Sequence, residues 1–301
     1  MKKYKLIISI ILINLISQHA LSQSMHNVLL WGSGGYSSLL TDVPELSSKG
    51  GPGFGIGGGY ELHYKHFIMQ TGVEFTYLRP CNELQNFVHD INLLDSERDE
   101  YVGHYHFSKN KEIYKLGNIN IPFMAGGSFG KTYFLLGAKA GFNIFGNTEV
   151  SSTVVTNGTF LQLIDDLGNM TTRHLGTRTE KEEYPLRLDL NVSLSAEIGF
   201  YLNAEQANTR YRLALFCDYG LVNVRDNSIN DNLIINKAQD PSYHPVLNSF
   251  MQSNIMRDSF VNPLYAGLKF TVKFGLKGKS DCMCDSYSLT EFSKSKGILN
   301  K

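Results

Sequence analysis

The chain has 301 residues with 28 Lys plus Arg against 28 Asp plus Glu, long enough for one large all-β domain or two small ones and too evenly charged for nucleic acid as the main partner. Glycine is frequent at 28, and there are 16 tyrosines and 18 phenylalanines. Aromatic residues favour strands, and glycines mark their turns and bulges.

The N-terminus reads as a secretory signal. Lys2, Lys3 and Lys5 precede an apolar run, Leu6 to Ile16, and small residues flank Leu21 at Ala20 and Ser22. Cleavage is expected after Ser22. The apolar run falls short of the roughly 20 residues of a membrane-spanning helix. The expected organisation is therefore a leader at 1–22, a β-domain at 23–276 and a tail at 277–301.

Eight segments alternate in hydropathy with period two: 28–39, 52–64, 66–79, 113–128, 131–145, 185–203, 210–224 and 262–276. Each is long enough for a tilted strand to cross a bilayer. Pro122 sits inside the fourth, where a bulge would accommodate its missing N–H. The connections alternate. Lys65, Phe129-Gly130 and 204–209 are short; 40–51, 80–112, 146–184 and 225–261 are long. The pattern predicts an all-β fold, an eight-stranded antiparallel transmembrane β-barrel with short periplasmic turns and long extracellular loops.

The sixth segment separates its faces most clearly. One face carries Leu186, Leu188, Leu190, Val192, Leu194, Ala196, Ile198, Phe200 and Leu202; the other is polar throughout. Such a row exceeds the usual strand of a soluble sandwich, about five or six residues. Tyr64, Phe67, Phe129, Phe200, Tyr211 and Phe274 fall near the short-turn ends. Tyr36, Phe54, Tyr77, Phe145 and Tyr219 fall near the long-loop ends. Two such groups fit interfacial girdles.

These features resemble the small eight-stranded outer-membrane barrels, the OmpA-type and OmpX-type proteins, and especially the outer-membrane β-barrel domains of Bacteroidetes. The run Ile119-Asn120-Ile121-Pro122-Phe123 is similar to a proline-containing strand of those domains. Gly267, Phe270, Val272 and Phe274 resemble a terminal-strand signal read by the barrel-assembly machinery, although a tail follows here. The resemblance implies the bacterial outer membrane, with outer-membrane lipids and that assembly machinery as partners. The tail is too short for a peptidoglycan-binding domain.

Ten charged residues fall on the polar faces and are expected inside: Glu61, Glu74, Lys139, Arg187, Asp189, Glu197, Arg212, Asp218, Lys269 and Lys273. An eight-stranded interior is about wide enough for side chains to fill, so these charges should pair and plug it. His63, Glu61 and Ser33 offer hydrolytic residue types, yet no nucleophile-elbow motif is present, and no enzyme is expected. No cofactor or metal is implied; His104 and His106 share a face but lack an evident third ligand. Cys81 and Cys217 fall in a loop and on the lipid side. Cys282 and Cys284 lie in the tail, where a disulfide is allowed.

In the long loops, Asn157-Gly158 between β-formers suggests a hairpin. Asn82 could cap a helix bearing Leu84, Phe87, Val88 and Ile91. The expected role is structural or surface-binding, with a protein partner possible through the long loops. Alternatives are a membrane subunit of a secretion or transport assembly, and a narrow pore.

Overall fold

The computed structural model describes residues 25–95, 98–164, 170–186, 188–203, 209–225, 231–235, 246–257 and 259–276. The expected leader, the tail with Cys282 and Cys284, and Arg187 lie outside the described residues. The fold is all-β. In chain order the strands are β1 (Met25–Thr41), β2 (Leu46–Ser48), β3 (Gly51–Tyr64), β4 (Phe67–Leu78), β5 (Cys81–Leu84), β6 (Phe87–Leu94) and β7 (Glu100–Phe129). Then follow β8 (Thr132–Ile164), β9 (Met170–Pro185), β10 (Asn191–Tyr201), β11 (Thr209–Gly220), β12 (Ile234–Ile235), β13 (Val246–Leu247) and β14 (Val261–Leu276). Among the described residues the one helical element is a single 3-10 turn, Asn254–Met256.

The ladders between these strands are antiparallel, and eight of the strands pair into a ring. β1 pairs with β3, β3 with β4, β4 with β7 and β7 with β8. β8 pairs with β10, β10 with β11, β11 with β14, and β14 returns to β1. Closure brings Gly35 opposite Gly267. A Cβ on Gly267 would lie 2.2 Å from the Gly34 carbonyl oxygen, so only glycine fits the closing seam there. Tight turns between β3 and β4 and between β7 and β8 hinge on Lys65 (φ 54°) and Gly130 (φ 62°), both left-handed.

Several elements differ from the sequence expectation. The sixth strand begins at Asn191, and Leu186 turns into an apolar cluster instead of facing outward. No bulge sits at Pro122; instead the β4–β7 ladder is interrupted where Gly72 and Val73 would meet Pro122 and Ile121. Proline has no N–H to give there.

The long connections are largely strand. β7 and β8 run on well past the ring, and β6 and β9 flank them as a four-stranded projecting sheet. From Leu116 to Tyr101, β7 extends about 50 Å at about 3.4 Å per residue. The 82–91 segment is therefore β5 and β6, not a helix. Pairing with the open edge of β7 supplies backbone hydrogen bonds that override the local helical spacing. Asn157-Gly158 makes no turn; it lies in β8 with β7 on one side and β9 on the other, beside a register shift after Thr156.

Polarity is inverted within the ring. Outward residues such as Leu30, Ile56, Phe75, Phe123, Leu136, Leu194, Ile198, Leu215 and Leu268 are exposed, while charged and hydroxyl side chains are buried inside. Among the described residues the larger apolar core lies at the long-loop end, and a smaller cluster of Ile68, Met124, Tyr133, Leu135, Tyr201 and Ala214 lies toward the short turns. In the larger core Leu39, Leu78, Leu116 and Val261 from ring strands meet Leu233, Leu247, Phe250, Met251 and Met256. These last five come from a cap, 231–235 and 246–257, that packs across that end of the ring.

Candidate functional site

The ring interior holds a ladder of paired charges. Alternation along each strand turns every second side chain inward. At mid-height Lys139 Nζ donates to Glu74 Oε2 at 2.8 Å and to Asp218 Oδ2 at 2.7 Å. Asp218 also accepts from Ser195 Oγ at 2.5 Å. Lys269 Nζ donates to Glu197 Oε2 at 2.8 Å, and Tyr133 OH donates to Glu197 Oε1 at 2.6 Å. Toward the short turns, Glu61 pairs with both Arg212 and Lys273. All of these charged groups are buried, where low polarity strengthens each pairing and makes any unpaired charge costly. A cavity of about 30 Å³, lined by Thr76, Asn120, Lys139, Ser193 and Asp218, is large enough for water but not for a larger ligand.

Eight of the ten expected interior charges thus come together. Asp189 does not: it is exposed, ahead of the first residue of β10. The strand starts later than its hydropathy pattern, because Leu186 and Leu188 turn toward the cap cluster. Arg210 was not among the expected residues, yet it is buried inside the ring. Its signal was present in the sequence, two residues before Arg212 on the same face. His63, Glu61 and Ser33 form no catalytic relay. His63 Nε2 donates to the Lys65 carbonyl at 2.7 Å, and Ser33 Oγ donates toward Glu74 Oε1 at 3.5 Å.

The terminal-strand residues lie on β14. Phe270 and Phe274 are exposed on its outer face, and Gly267 sits at the closing seam. Cys217 is exposed on the outside of β11, and Cys81 is buried in β5.

The cap is held by a buried polar latch. Glu112, fully buried on β7 beyond the ring, accepts from Thr148 Oγ1 at 2.5 Å and Ser249 Oγ at 2.6 Å through Oε1. Through Oε2 it accepts from the Phe250 N–H at 2.8 Å and Tyr114 OH at 2.9 Å. Burial pushes its carboxyl above the usual carboxylate range, against the pull of the hydrogen bonds. Arg225 adds a second tie, with Nε donating to the Met251 carbonyl at 2.8 Å. Between β6 and the cap lies an open cavity of about 370 Å³, lined by Phe87, His89, Leu233, Ile234 and Ile255 with Asn232 and Asn254. On the opposite face of the projecting sheet, His104 bridges Asp90 (2.7 Å) and Thr159 (3.0 Å). Among the described residues no group of three or more His, Cys, Asp or Glu could hold a metal ion.

No protein-family model matches the sequence, and no curated protein is similar to it. The reading of function therefore rests on the residues and their arrangement.

Proposed function

We propose that the chain is a secreted bacterial outer-membrane protein whose strand ring is an eight-stranded transmembrane β-barrel, plugged by its own charges. It resembles the OmpA-type and OmpX-type barrels in this reading, and its role is structural or surface-binding, without catalysis. One observation carries the proposal: the ring is inside out. Exposed leucine, isoleucine, valine and phenylalanine cover its outer face, and its interior is occupied by ion pairs with a small apolar cluster toward the short turns. Water would penalise that apolar surface, far larger than a soluble monomer leaves exposed; hydrocarbon would not. The aromatic residues at both ends, Phe67, Phe129, Phe200 and Tyr211 against Tyr36, Phe54 and Tyr219, are exposed as interfacial girdles would be.

In this orientation the tight turns face the periplasm, and the cap and projecting sheet face outward. Folding into detergent should give a β-type circular dichroism spectrum and a different gel mobility before heating, with the protein recovered in outer-membrane fractions. Soluble recovery from the periplasm without detergent would defeat the reading.

A second reading, a membrane subunit of a secretion or transport assembly, draws on the projecting sheet. β6 and β9 form its edges, and strand edges invite pairing with a further chain. Stable co-purification of the same partner after cross-linking would favour it. A narrow pore is disfavoured by the paired interior.

A further inference from the structure

The short-turn end of the ring interior carries more positive charge than its carboxylate neutralises. Arg210, Arg212 and Lys273 converge on the Tyr201 ring there. The two guanidinium carbons lie 3.7 and 4.9 Å from the ring centroid, and Lys273 Nζ lies 6.0 Å from it. All four residues are buried, Arg210 at 7% exposure and Arg212 at 0%. Among the described residues Glu61 alone pairs with them, bonding Arg212 and Lys273. The next carboxylate, Glu197, is taken by Lys269 and Tyr133. His63 contributes no anion: its Nε2–H is committed to the Lys65 carbonyl, and Nδ1 faces Lys273 Nζ at 3.4 Å.

Among the described residues, three cations therefore face one carboxylate in a buried layer. Donors are in surplus as well. Among the described residues Arg210 Nε, Arg212 Nε and Nη1, and Gln70 Nε2 find no hydrogen-bond partner, and the Tyr201 hydroxyl in the same layer also has none. Gln70 lies directly across from Glu61 in the β3–β4 register. Stacking on Tyr201 engages the face of the Arg210 guanidinium and leaves its Nε–H unsatisfied. Solvent could meet spare donors, but it brings no charge, and buried unpaired charge is costly.

We propose that this end of the interior is a binding site for an oxyanion, a phosphate or carboxylate group, with Arg210 as its principal ligand. Entry is from the short-turn side, because the apolar cap packs across the other end. Lys65 and Lys131, exposed in the two tight turns, make that rim attractive to anions. The same chemistry is offered by free phosphate and by the headgroup of an anionic lipid. The site rests on the reading of the ring as a closed barrel and goes beyond it.

The test uses the full-length protein folded in uncharged detergent, titrated with inorganic phosphate against chloride at matched ionic strength. A saturable rise in unfolding temperature with phosphate is expected. Arg210→Gln should abolish that rise, with each protein's own unfolding temperature in chloride as the reference from which the phosphate gain is read. A parallel arm compares vesicles of phosphatidylglycerol and phosphatidylcholine. An Arg210-dependent gain with phosphatidylglycerol assigns the site to a lipid headgroup, and a gain with phosphate in detergent assigns it to the free anion. Equilibrium dialysis of wild type against labelled phosphate reads the detergent arm without any variant. Wild type that keeps its folded gel mobility but shows no preference for phosphate over chloride, and none between the lipids, overturns the site while leaving the barrel reading intact. So does a phosphate gain that persists in Arg210→Gln.

Discussion

Ser249 Oγ donates to Glu112 Oε1 across 2.6 Å, joining the cap to the β7 extension between residues 137 positions apart. The adjoining Phe250 N–H donates to the other oxygen of the same carboxylate. Glu112→Ala should therefore free the cap, leaving buried donors without an acceptor at about 1–3 kcal/mol each. Limited proteolysis should then cut within 246–257 at least tenfold faster than in wild type. Glu112→Gln keeps an acceptor and a donor in place and should lose much less.

The latch also sets a pH dependence. Burial raises the Glu112 carboxyl above its ordinary value in the folded state. Its contribution to cap stability is therefore full below the unfolded pKa of about 4.3. That contribution is lost as pH rises through the folded value. Cap proteolysis should be slowest in acid and quicken above that point, and Glu112→Gln should flatten the profile. A wild-type cap that loosens in acid would contradict the assignment.

Lys139 is the sole cation bonded to both Glu74 and Asp218 among the described residues. Lys139→Met leaves two buried carboxylates facing one another, a loss of about 3–5 kcal/mol on the pattern of broken buried pairs. Urea unfolding from lipid vesicles should read it, followed through Trp31, the single tryptophan of the chain, whose ring lies 4.7 Å from Lys269 Nζ. The triple change Lys139→Met, Glu74→Gln, Asp218→Asn should recover much of the loss.

Conduction should be absent. The paired interior and the apolar cap lie in series along the ring. Wild type in planar bilayers should show no steady ohmic current. A large sustained conductance would mean that the charges line a water-filled path.

Orientation can be read by cysteine labelling on intact cells. Thr172→Cys on exposed β9 should react with a large maleimide that cannot enter the cell, above the background of the unsubstituted chain. Lys131→Cys, in the tight turn after β7, should stay protected. The opposite pattern would invert the topology.

The alternation of side chains along the chain was enough to mark the ring strands and to place eight interior charges. Period two is a local property, and an apolar outward-facing row such as Leu194, Ala196, Ile198 and Phe200 declares itself without any partner. What local pattern could not carry was pairing. Phe87 and Ile91 fit a helix as readily as a strand until the open edge of β7 supplies their hydrogen bonds. Asn157-Gly158 fits a turn until β7 and β9 hold it straight from both sides. Asp189 belongs by parity with the interior, but the cap draws Leu186 away and ends the strand before it. The latch at Glu112 and the surplus charge at Arg210 were decided only by the tertiary structure. Each depends on how many partners arrive from distant strands, a number set by ring closure and register and not by neighbours in the chain.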